Sequence, residues 1–200
     1  MSSERIGDWI QTYSLKQFWP LDPRPEDVCI EDIAHALSMM CRFTGHVHHF
    51  YSVAEHSVRV SIEAERLARQ GYLERSEAPW ETYVATVARW GLLHDASEAY
   101  LVDVARPVKR LPEMAAYVRA EYAVQMAICR HFGIGEIEPG EVKVADRALC
   151  YTEARDLFPG VHPAWKWQAE PLPERIEPLT PYAAKALFLA RFAEVFPAAK

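Results

Sequence analysis

The chain has 200 residues, of which half are hydrophobic and a quarter are charged, and its formal net charge is −6. This length and composition are typical of one soluble globular domain with a substantial core. The negative net charge argues against a general nucleic-acid binder, which would carry a basic face. A phosphorylated substrate would therefore need a metal ion or a local cluster of cations.

Four widely spaced cysteines contain no Cys-x-x-Cys pair, so the sequence predicts neither a thiolate zinc site nor a disulfide framework. Glu4, Arg5 and Asp8 stand where a signal peptide would need an apolar core. No run of about eighteen apolar residues, the length that spans a membrane, occurs in the chain. We therefore expect a cytoplasmic protein with neither a membrane nor a nucleic-acid partner.

Apolar residues at helical spacing predict six helices, over residues 31–40, 51–70, 82–93, 114–132, 141–158 and 182–196. Pro79 and Trp80 open the third. The segment around Trp19 and Pro20 is too rich in proline for a helix or a central strand, and it predicts an ordered loop. Because no alternating strand pattern is evident, the predicted fold class is all-α. We expect a single domain over 1–200, with a core at about 30–158 and a C-terminal extension over 160–200.

The stretch 90–109 carries an apolar run that leads directly into His94 and Asp95, followed by two carboxylates and two cations. If the helix continues, His94 lies on the buried face that includes Gly91, and Glu98 lies one turn beyond. A buried histidine needs a partner, and so does a buried ionised aspartate. The strongest partner for both together is a divalent metal ion.

Two other helices carry polar residues on predicted core faces, His56 in the second and Asp146 in the fifth. Taken alone, a single core histidine is more often satisfied by hydrogen bonds, and Asp146 alone favours a salt bridge at a helix end. Four such residues on three helices instead predict a metal site inside a helical bundle. The predicted ligands are His56, His94, Asp95 and Asp146.

This order of ligands resembles the H…HD…D signature of the HD-domain phosphohydrolases, an all-α, metal-dependent superfamily. The neighbouring residues strengthen the resemblance: Glu55-His56-Ser57, Leu93-His94-Asp95-Ala-Ser-Glu98-Ala, Asp103 followed by Pro107-Val108-Lys109, and Arg42-Phe43. They resemble bacterial 5'-deoxynucleotidases, in which an Arg-Trp pair replaces Arg42-Phe43. Residues 30–38, 41–46 and 50–54 look closer to a phage and bacterial branch that includes dATP triphosphohydrolases. The resemblance covers about residues 18–158.

The resemblance implies a role for each matched residue. The four ligands would hold one or more divalent ions, Co, Mn, Zn, Fe or Mg, and leave open positions for water and a phosphate oxygen. Glu98 would act as general acid or base, or orient the attacking water. Asp103 would bind the sugar hydroxyl, Arg42 and Lys109 would contact phosphate, and Phe43 would stack on a base. The alternatives are a solvated surface position for each charged residue and core packing for Phe43.

The predicted function is hydrolysis of deoxynucleotides, with triphosphates favoured over monophosphates by family analogy. Relatives also suggest a homodimer or a higher homo-oligomer. The first alternative is a 5'-deoxynucleotidase, and the second is a hydrolase of another phosphate ester, such as an alarmone or a cyclic nucleotide. The third is a non-catalytic helical module that senses nucleotide or metal, against which the complete ligand set with Glu98 argues.

Overall fold

The computed structural model describes residues 4–72 and 80–197. Within these residues the chain is all-α apart from one small hairpin. Its helices are α1 (Ile30–Met39), α2 (Val53–Tyr72), α3 (Trp80–Leu93), α4 (Glu98–Leu101), α5 (Arg106–Lys109), α6 (Ala115–Phe132), α7 (Gly140–Leu157) and α8 (Pro181–Val195). Short 3-10 turns lie at Pro25–Asp27, Arg42–Gly45 and Pro112–Met114.

The six predicted long helices are confirmed, and their ends lie within two residues of the predicted ones. Local chemistry explains two of these ends. Gly133 adopts a left-handed φ of 64° and ends α6, where a side chain would be strained. The Thr180 side chain accepts a hydrogen bond from the Ala183 backbone N–H at the start of α8. Pro79, predicted to open α3, lies outside the described residues.

The first difference from the prediction is an antiparallel hairpin of β1 (Ile10–Gln11) and β2 (Gln17–Phe18). Strands of two residues are too short to show an alternating pattern, so they cannot be recognised from the sequence. The hairpin is held to the core by Phe18, which is fully buried and stacks on Tyr100 with ring centroids 3.8 Å apart.

The second difference concerns His94 and Glu98, which are predicted to share one face if α3 continues through them. The helix instead ends at Leu93, and residues 94–97 form a tight turn in which the Ala96 N–H donates to Leu93 O and the Glu98 N–H donates to Asp95 O. These i→i+3 bonds direct the chain into the separate short helix α4. His94 and Asp95 therefore lie at the C-terminal end of α3, where their side chains can turn toward α2.

Helix α2 packs against α1, α3, α7 and α8 and forms the centre of the bundle. Its closest approach is to α3, where Gly91 faces Ser61. A Cβ atom at Gly91 would lie 2.7 Å from the Cα of Ser61, a distance that real Cβ atoms do not adopt. The Ser61 hydroxyl also donates a 2.7 Å hydrogen bond to Ala88 O across the same contact. The middle of α2 and the C-terminal half of α3 are thereby held together.

The residues after α7 also belong to the core. Ala184, Phe188 and Val195 of α8 join the same buried apolar cluster as α1, α2 and α3. The segment between α7 and α8 is fixed to α7 by Asp156, which accepts from the Ile176 N–H at 3.0 Å and pairs with Arg155. No helix in the described part of the chain is long and apolar enough to cross a membrane.

Candidate metal centre

Three of the predicted ligands come together at one point of the bundle. His56 projects from the first turn of α2, and His94 and Asp95 project from the turn after α3. One nitrogen of each histidine and one oxygen of Asp95 lie within 4.8 Å of one another. This His-His-Asp group could hold a metal ion.

The distances between the potential donor atoms are short enough for one metal ion to contact several of them. Asp95 Oδ2 lies 3.1 Å from His94 Nε2 and 3.8 Å from His56 Nε2. Asp146, on α7, places its Oδ1 3.3 Å from His56 Nε2, but it lies outside the compact group of three. The Asp146 side chain is 30% exposed, so it is half-buried rather than buried as its helical pattern predicted. Its neighbours Val142, Ala145 and Leu149 are buried, as predicted.

The Nε2 atoms of His56 and His94 are both buried without a hydrogen bond of acceptable geometry to any described residue. Carboxylate oxygens lie within ion-pair distance of them, yet the nitrogens and oxygens are not aligned for donation. An unsatisfied buried polar atom costs about 1–3 kcal/mol, so two neighbouring ones are a marked exception in a folded core. The two Nε2 atoms and the Asp95 oxygen lie close together without hydrogen bonds between them. A cation bound between them would give each of these atoms a partner.

The opposite ring nitrogens have clear partners. His56 Nδ1 lies 2.6 Å from Glu153 Oε1, and His94 Nδ1 lies 2.9 Å from Gly91 O. Because a carboxylate and a carbonyl accept hydrogen bonds, both Nδ1 atoms donate, and in each neutral ring the free electron pair is on Nε2. Fixing the tautomer in this way is the usual arrangement around metal-binding histidines.

Glu153 contacts the candidate ligands directly, and the sequence reasoning missed it. Its side chain is fully buried on α7, and its Oε2 accepts from Arg42 Nε at 3.1 Å while Oε1 faces His56. Burial would raise the pKa of Glu153, but the charges of Arg42 and His56 lower it, so the group is an anion. Its spacing of seven residues from Asp146 places both on one face of α7, and this spacing was the available signal.

Arg42 reaches the centre from a loop whose two ends are paired. The Arg42 N–H donates to Tyr51 O at 2.9 Å, and the following residue, Phe43, has a left-handed φ of 54°. The Arg42 guanidinium lies 3.7 Å from Asp95 Oδ2. Burial would lower the pKa of Arg42, but Glu153 and Asp95 raise it above its ordinary value, so the side chain stays charged. The structure thus places a permanent cation beside the candidate ligands.

The charges in the group favour uptake of a cation. Burial would lower the pKa of His94, but the negative charge of Asp95, 3.1 Å away, raises it to about 9. Burial would likewise raise the pKa of Asp95, and the neighbouring histidines and Arg42 instead hold it well below its usual range. For Asp146 the contact with His56 outweighs burial and lowers the pKa to about 2. The carboxylates of Asp95 and Asp146 are therefore ionised, and their charges favour a proton on His94. A metal ion that binds to His94 would displace this proton.

Glu98 differs from the other carboxylates of the region. It is 6% exposed, its Oε2 atom is buried without a partner among the described residues, and its Oε1 lies 3.8 Å from Lys109 Nζ. Burial is the main cause that raises its pKa to about 9, and the negative charges of Asp95 and Asp103 add to it. The raised pKa favours the protonated form of Glu98 in the metal-free protein, a form that can donate a proton.

The remaining predicted residues surround this group. Asp103 is exposed in the loop between α4 and α5, close enough for its charge to act on Glu98. Lys109 ends α5 and pairs with Glu121 at 2.5 Å, so its charge is already shared between carboxylates. Phe43 packs edge-on against Phe158 with centroids 5.0 Å apart, and the Arg42 guanidinium lies 5.3 Å from the Phe43 ring centroid. Phe43 thus lies beside Arg42, half-buried, with an aromatic neighbour.

No family model matches the chain. The chain is 35% identical over 189 residues to the uncharacterized protein YfdR of Escherichia coli K12, an alignment that covers 92% of this chain and 93% of YfdR. It is also 35% identical over 149 residues to an uncharacterized protein of Rhodobacter capsulatus, covering 74% of this chain and 69% of that protein. The first alignment spans nearly the whole of both chains, and the chain therefore belongs to the same protein family as YfdR.

Proposed function

We propose that the protein is a divalent-metal-dependent phosphohydrolase of the HD-domain type that acts on deoxynucleotides, with deoxynucleoside triphosphates such as dATP as the first candidate substrates. The observation that carries the proposal is the pair of buried, unbonded Nε2 atoms of His56 and His94 beside the Asp95 carboxylate. Sites that hydrolyse phosphate esters with a metal ion need such a donor set next to a proton-donating group.

The proposed ligands are His56, His94 and Asp95, with Asp146 as the fourth. Mixed imidazole and carboxylate ligands suit Zn, Mn, Co or Fe, and Mg is kept in the test because it accompanies many phosphate substrates. A divalent ion bound there would supply a Lewis acid that neutralises phosphate charge and activates a water molecule. Two oxygen and two nitrogen donors leave positions for that water and for substrate.

Residues of the chain perform the remaining steps of the proposed reaction. Glu98, whose pKa is raised by burial and by the charges of Asp95 and Asp103, would donate its proton to the leaving oxygen. Arg42 keeps its charge and would bind a phosphate oxygen with the guanidinium atoms that Glu153 does not occupy. Lys109, 3.8 Å from Glu98, would add positive charge on the same side.

Recognition of the nucleoside is proposed from the resemblance. Phe43 would stack on the base, and Asp103 would bind the sugar hydroxyl. Phe43 lies beside Arg42, which supports a base position next to the proposed phosphate contact. The exposed position of Asp103 in the loop before α5 leaves its carboxylate accessible to a ligand.

A substrate panel tests the proposal. The protein is stripped of metal, then supplied with Co, Mn, Zn or Mg and with each deoxynucleoside mono- and triphosphate, and the released products are identified. Metal-dependent release of inorganic triphosphate supports the proposal, and Asp95→Ala protein, in which one ligand is lost, should be inactive. Release of a single phosphate from monophosphates would show instead that the protein is a 5'-deoxynucleotidase. Binding of nucleotide without any hydrolysis would favour the sensing module and overturn the enzyme proposal.

A further inference from the structure

Glu153 contacts both His56, a proposed metal ligand, and Arg42, a proposed phosphate contact. Its side chain is fully buried, its Oε1 lies 2.6 Å from His56 Nδ1, and its Oε2 lies 3.1 Å from Arg42 Nε. We infer that Glu153 is a positioning residue that holds a metal-binding histidine and a phosphate-binding arginine in their working orientations at the same time. The phosphate half of this inference rests on the proposed function, whereas the metal half requires only that the His-His-Asp group binds a cation.

The metal half follows from which nitrogen of His56 carries the proton. Because Glu153 Oε2 is held by Arg42 and Oε1 lies 2.6 Å from His56 Nδ1, an accepting oxygen faces Nδ1, so the proton stays on Nδ1 and the electron pair is on Nε2, toward Asp95 and Asp146. The His56 ring, in the first turn of α2, is completely buried, so water cannot replace this partner. Glu153 therefore decides whether His56 can serve as a ligand.

The phosphate half follows from where Arg42 would go without Glu153. Its guanidinium already lies 3.7 Å from Asp95 Oδ2, while its Nε is held by Glu153. With that anchor removed, Asp95 would be the nearest carboxylate, and Arg42 would pair with it. Because Asp95 is a proposed metal ligand, the arginine would then compete with the cation and would no longer be available to phosphate.

The variant Glu153→Gln tests whether Glu153 orients His56 and Arg42 or only fills space in the core. The amide has nearly the same shape, but it carries one accepting oxygen and one donating nitrogen. If the oxygen faces Arg42, the N–H group faces His56 Nδ1 and forces the proton onto Nε2. If the oxygen faces His56, the N–H group opposes the donor of Arg42. Either orientation disturbs one half of the arrangement.

Glu55 provides a matched control. It is also fully buried, and it is the neighbour of His56 in the sequence. Its partners are Arg59 and the Leu179 N–H, which lie outside the candidate metal centre. Glu55→Gln therefore carries the same chemical change in an equally buried place, and it measures what that change costs the fold alone.

The experiment titrates metal-free wild type, Glu153→Gln and Glu55→Gln with Co²⁺ at a temperature well below each protein's unfolding transition. The visible absorption of the ion reports both affinity and ligand geometry. We expect Glu153→Gln to bind Co²⁺ about 10- to 100-fold more weakly with an altered spectrum, and Glu55→Gln to match wild type. Equal affinity and spectrum in the two variants would overturn the metal half. Absence of Co²⁺ binding by wild type would instead refute the proposed function.

A second measurement addresses Arg42. With Co²⁺ saturating in each protein, inorganic phosphate is titrated by calorimetry. We expect phosphate to bind Glu153→Gln about tenfold more weakly than Glu55→Gln, about 1.4 kcal/mol. Equal phosphate affinity in Glu55→Gln, Glu153→Gln and Glu153→Met, the last of which leaves no oxygen to accept from Arg42, would overturn the phosphate half and leave Glu153 as a support for His56 alone.

Discussion

Two buried glutamates near the same group of ligands have pKa values that are shifted in opposite directions. Glu153 is fully buried between Arg42 and His56, and its pKa is lowered. Glu98 is 6% exposed, the carboxylates of Asp95 and Asp103 act on it, and its pKa is raised to about 9. Burial disfavours the charged form of both, so the difference comes from the neighbouring charges.

The difference shows how one small region provides both a fixed anion and a proton donor. The Glu153 side, consisting of Glu153, Arg42 and His56, is a set of paired charges that fixes geometry. The Glu98 side, consisting of Glu98 and Lys109, contains a neutral carboxylic acid at pH 7 with one distant cation. Asp95 belongs to both, because it lies 3.7 Å from Arg42 and its charge raises the pKa of Glu98.

The largest effect is expected from removing the ligands between the two sides. His94→Ala and Asp95→Ala should each abolish metal binding and hydrolysis together, because each removes a donor of the compact group. Metal content and turnover of each variant are measured after loading with the active ion. His49→Ala, a change at an exposed loop histidine, is the control and should behave as wild type. Full activity in either ligand variant would rule out the metal centre.

The next largest effect is expected on the Glu98 side. Glu98→Gln keeps the shape but removes the transferable proton, so turnover should fall about 10²- to 10⁴-fold while the metal stays bound. Steady-state kinetics and metal analysis on the same sample give both quantities. If the metal were lost together with activity, Glu98 would be a ligand rather than a proton donor, and the contrast with Glu153 would disappear.

The protonated state of Glu98 also predicts how the stability of the metal-free protein depends on pH. Its pKa is 4.5 in the reference state and about 9 in the fold, so its contribution is fully present below pH 4.5 and falls as pH rises toward 9. Between pH 6 and 8 this group should lower the free energy of unfolding by up to about 3 kcal/mol. Urea titrations at both pH values should show a steeper loss for wild type than for Glu98→Gln. Equal losses would show that Glu98 is ionised in the fold.

The smallest effect is expected from Lys109, the cation of the Glu98 side. Its charge lowers the pKa of Glu98 from 3.8 Å away, so Lys109→Met should raise that pKa further. The alkaline limb of the pH–rate profile should then move upward by about 1 pH unit or less. Lys143→Met, which removes an exposed lysine paired with Glu138, is the charge-matched control. A downward shift would show that Lys109 acts on another group.

Much of the fold could be predicted from the sequence because α1, α2, α3, α6, α7 and α8 each bury an apolar face with helical spacing. The turn that follows α3 could not. Residues 94–97 contain neither glycine nor proline, and the turn there depends on i→i+3 bonds that a periodic pattern does not reveal. The hairpin at Ile10–Gln11 and Gln17–Phe18 was missed because its strands are too short for any pattern.

The compact group could be predicted because a buried histidine and aspartate on apolar faces are conspicuous in any sequence. His56, His94 and Asp95 do come together. Glu153 could not be assigned a role, because its importance depends on two contacts, to residues 97 and 111 positions away in the chain. The roles of Asp103, Phe43 and Lys109 stay predictions, since they depend on a substrate rather than on the fold.

The contact between Gly91 and Ser61 has a further consequence for how this protein can change. Glycine inside a helix costs about 1 kcal/mol relative to alanine, so alanine at this position would strengthen α3 as an isolated helix. Here the added methyl group would meet the Ser61 Cα at 2.7 Å and push apart the two helices that carry His56 and His94. Local helix stability and the separation of the two imidazoles are therefore in conflict at this position. Glycine at position 91 makes α3 less stable as an isolated helix, but it keeps the two imidazoles at their present separation.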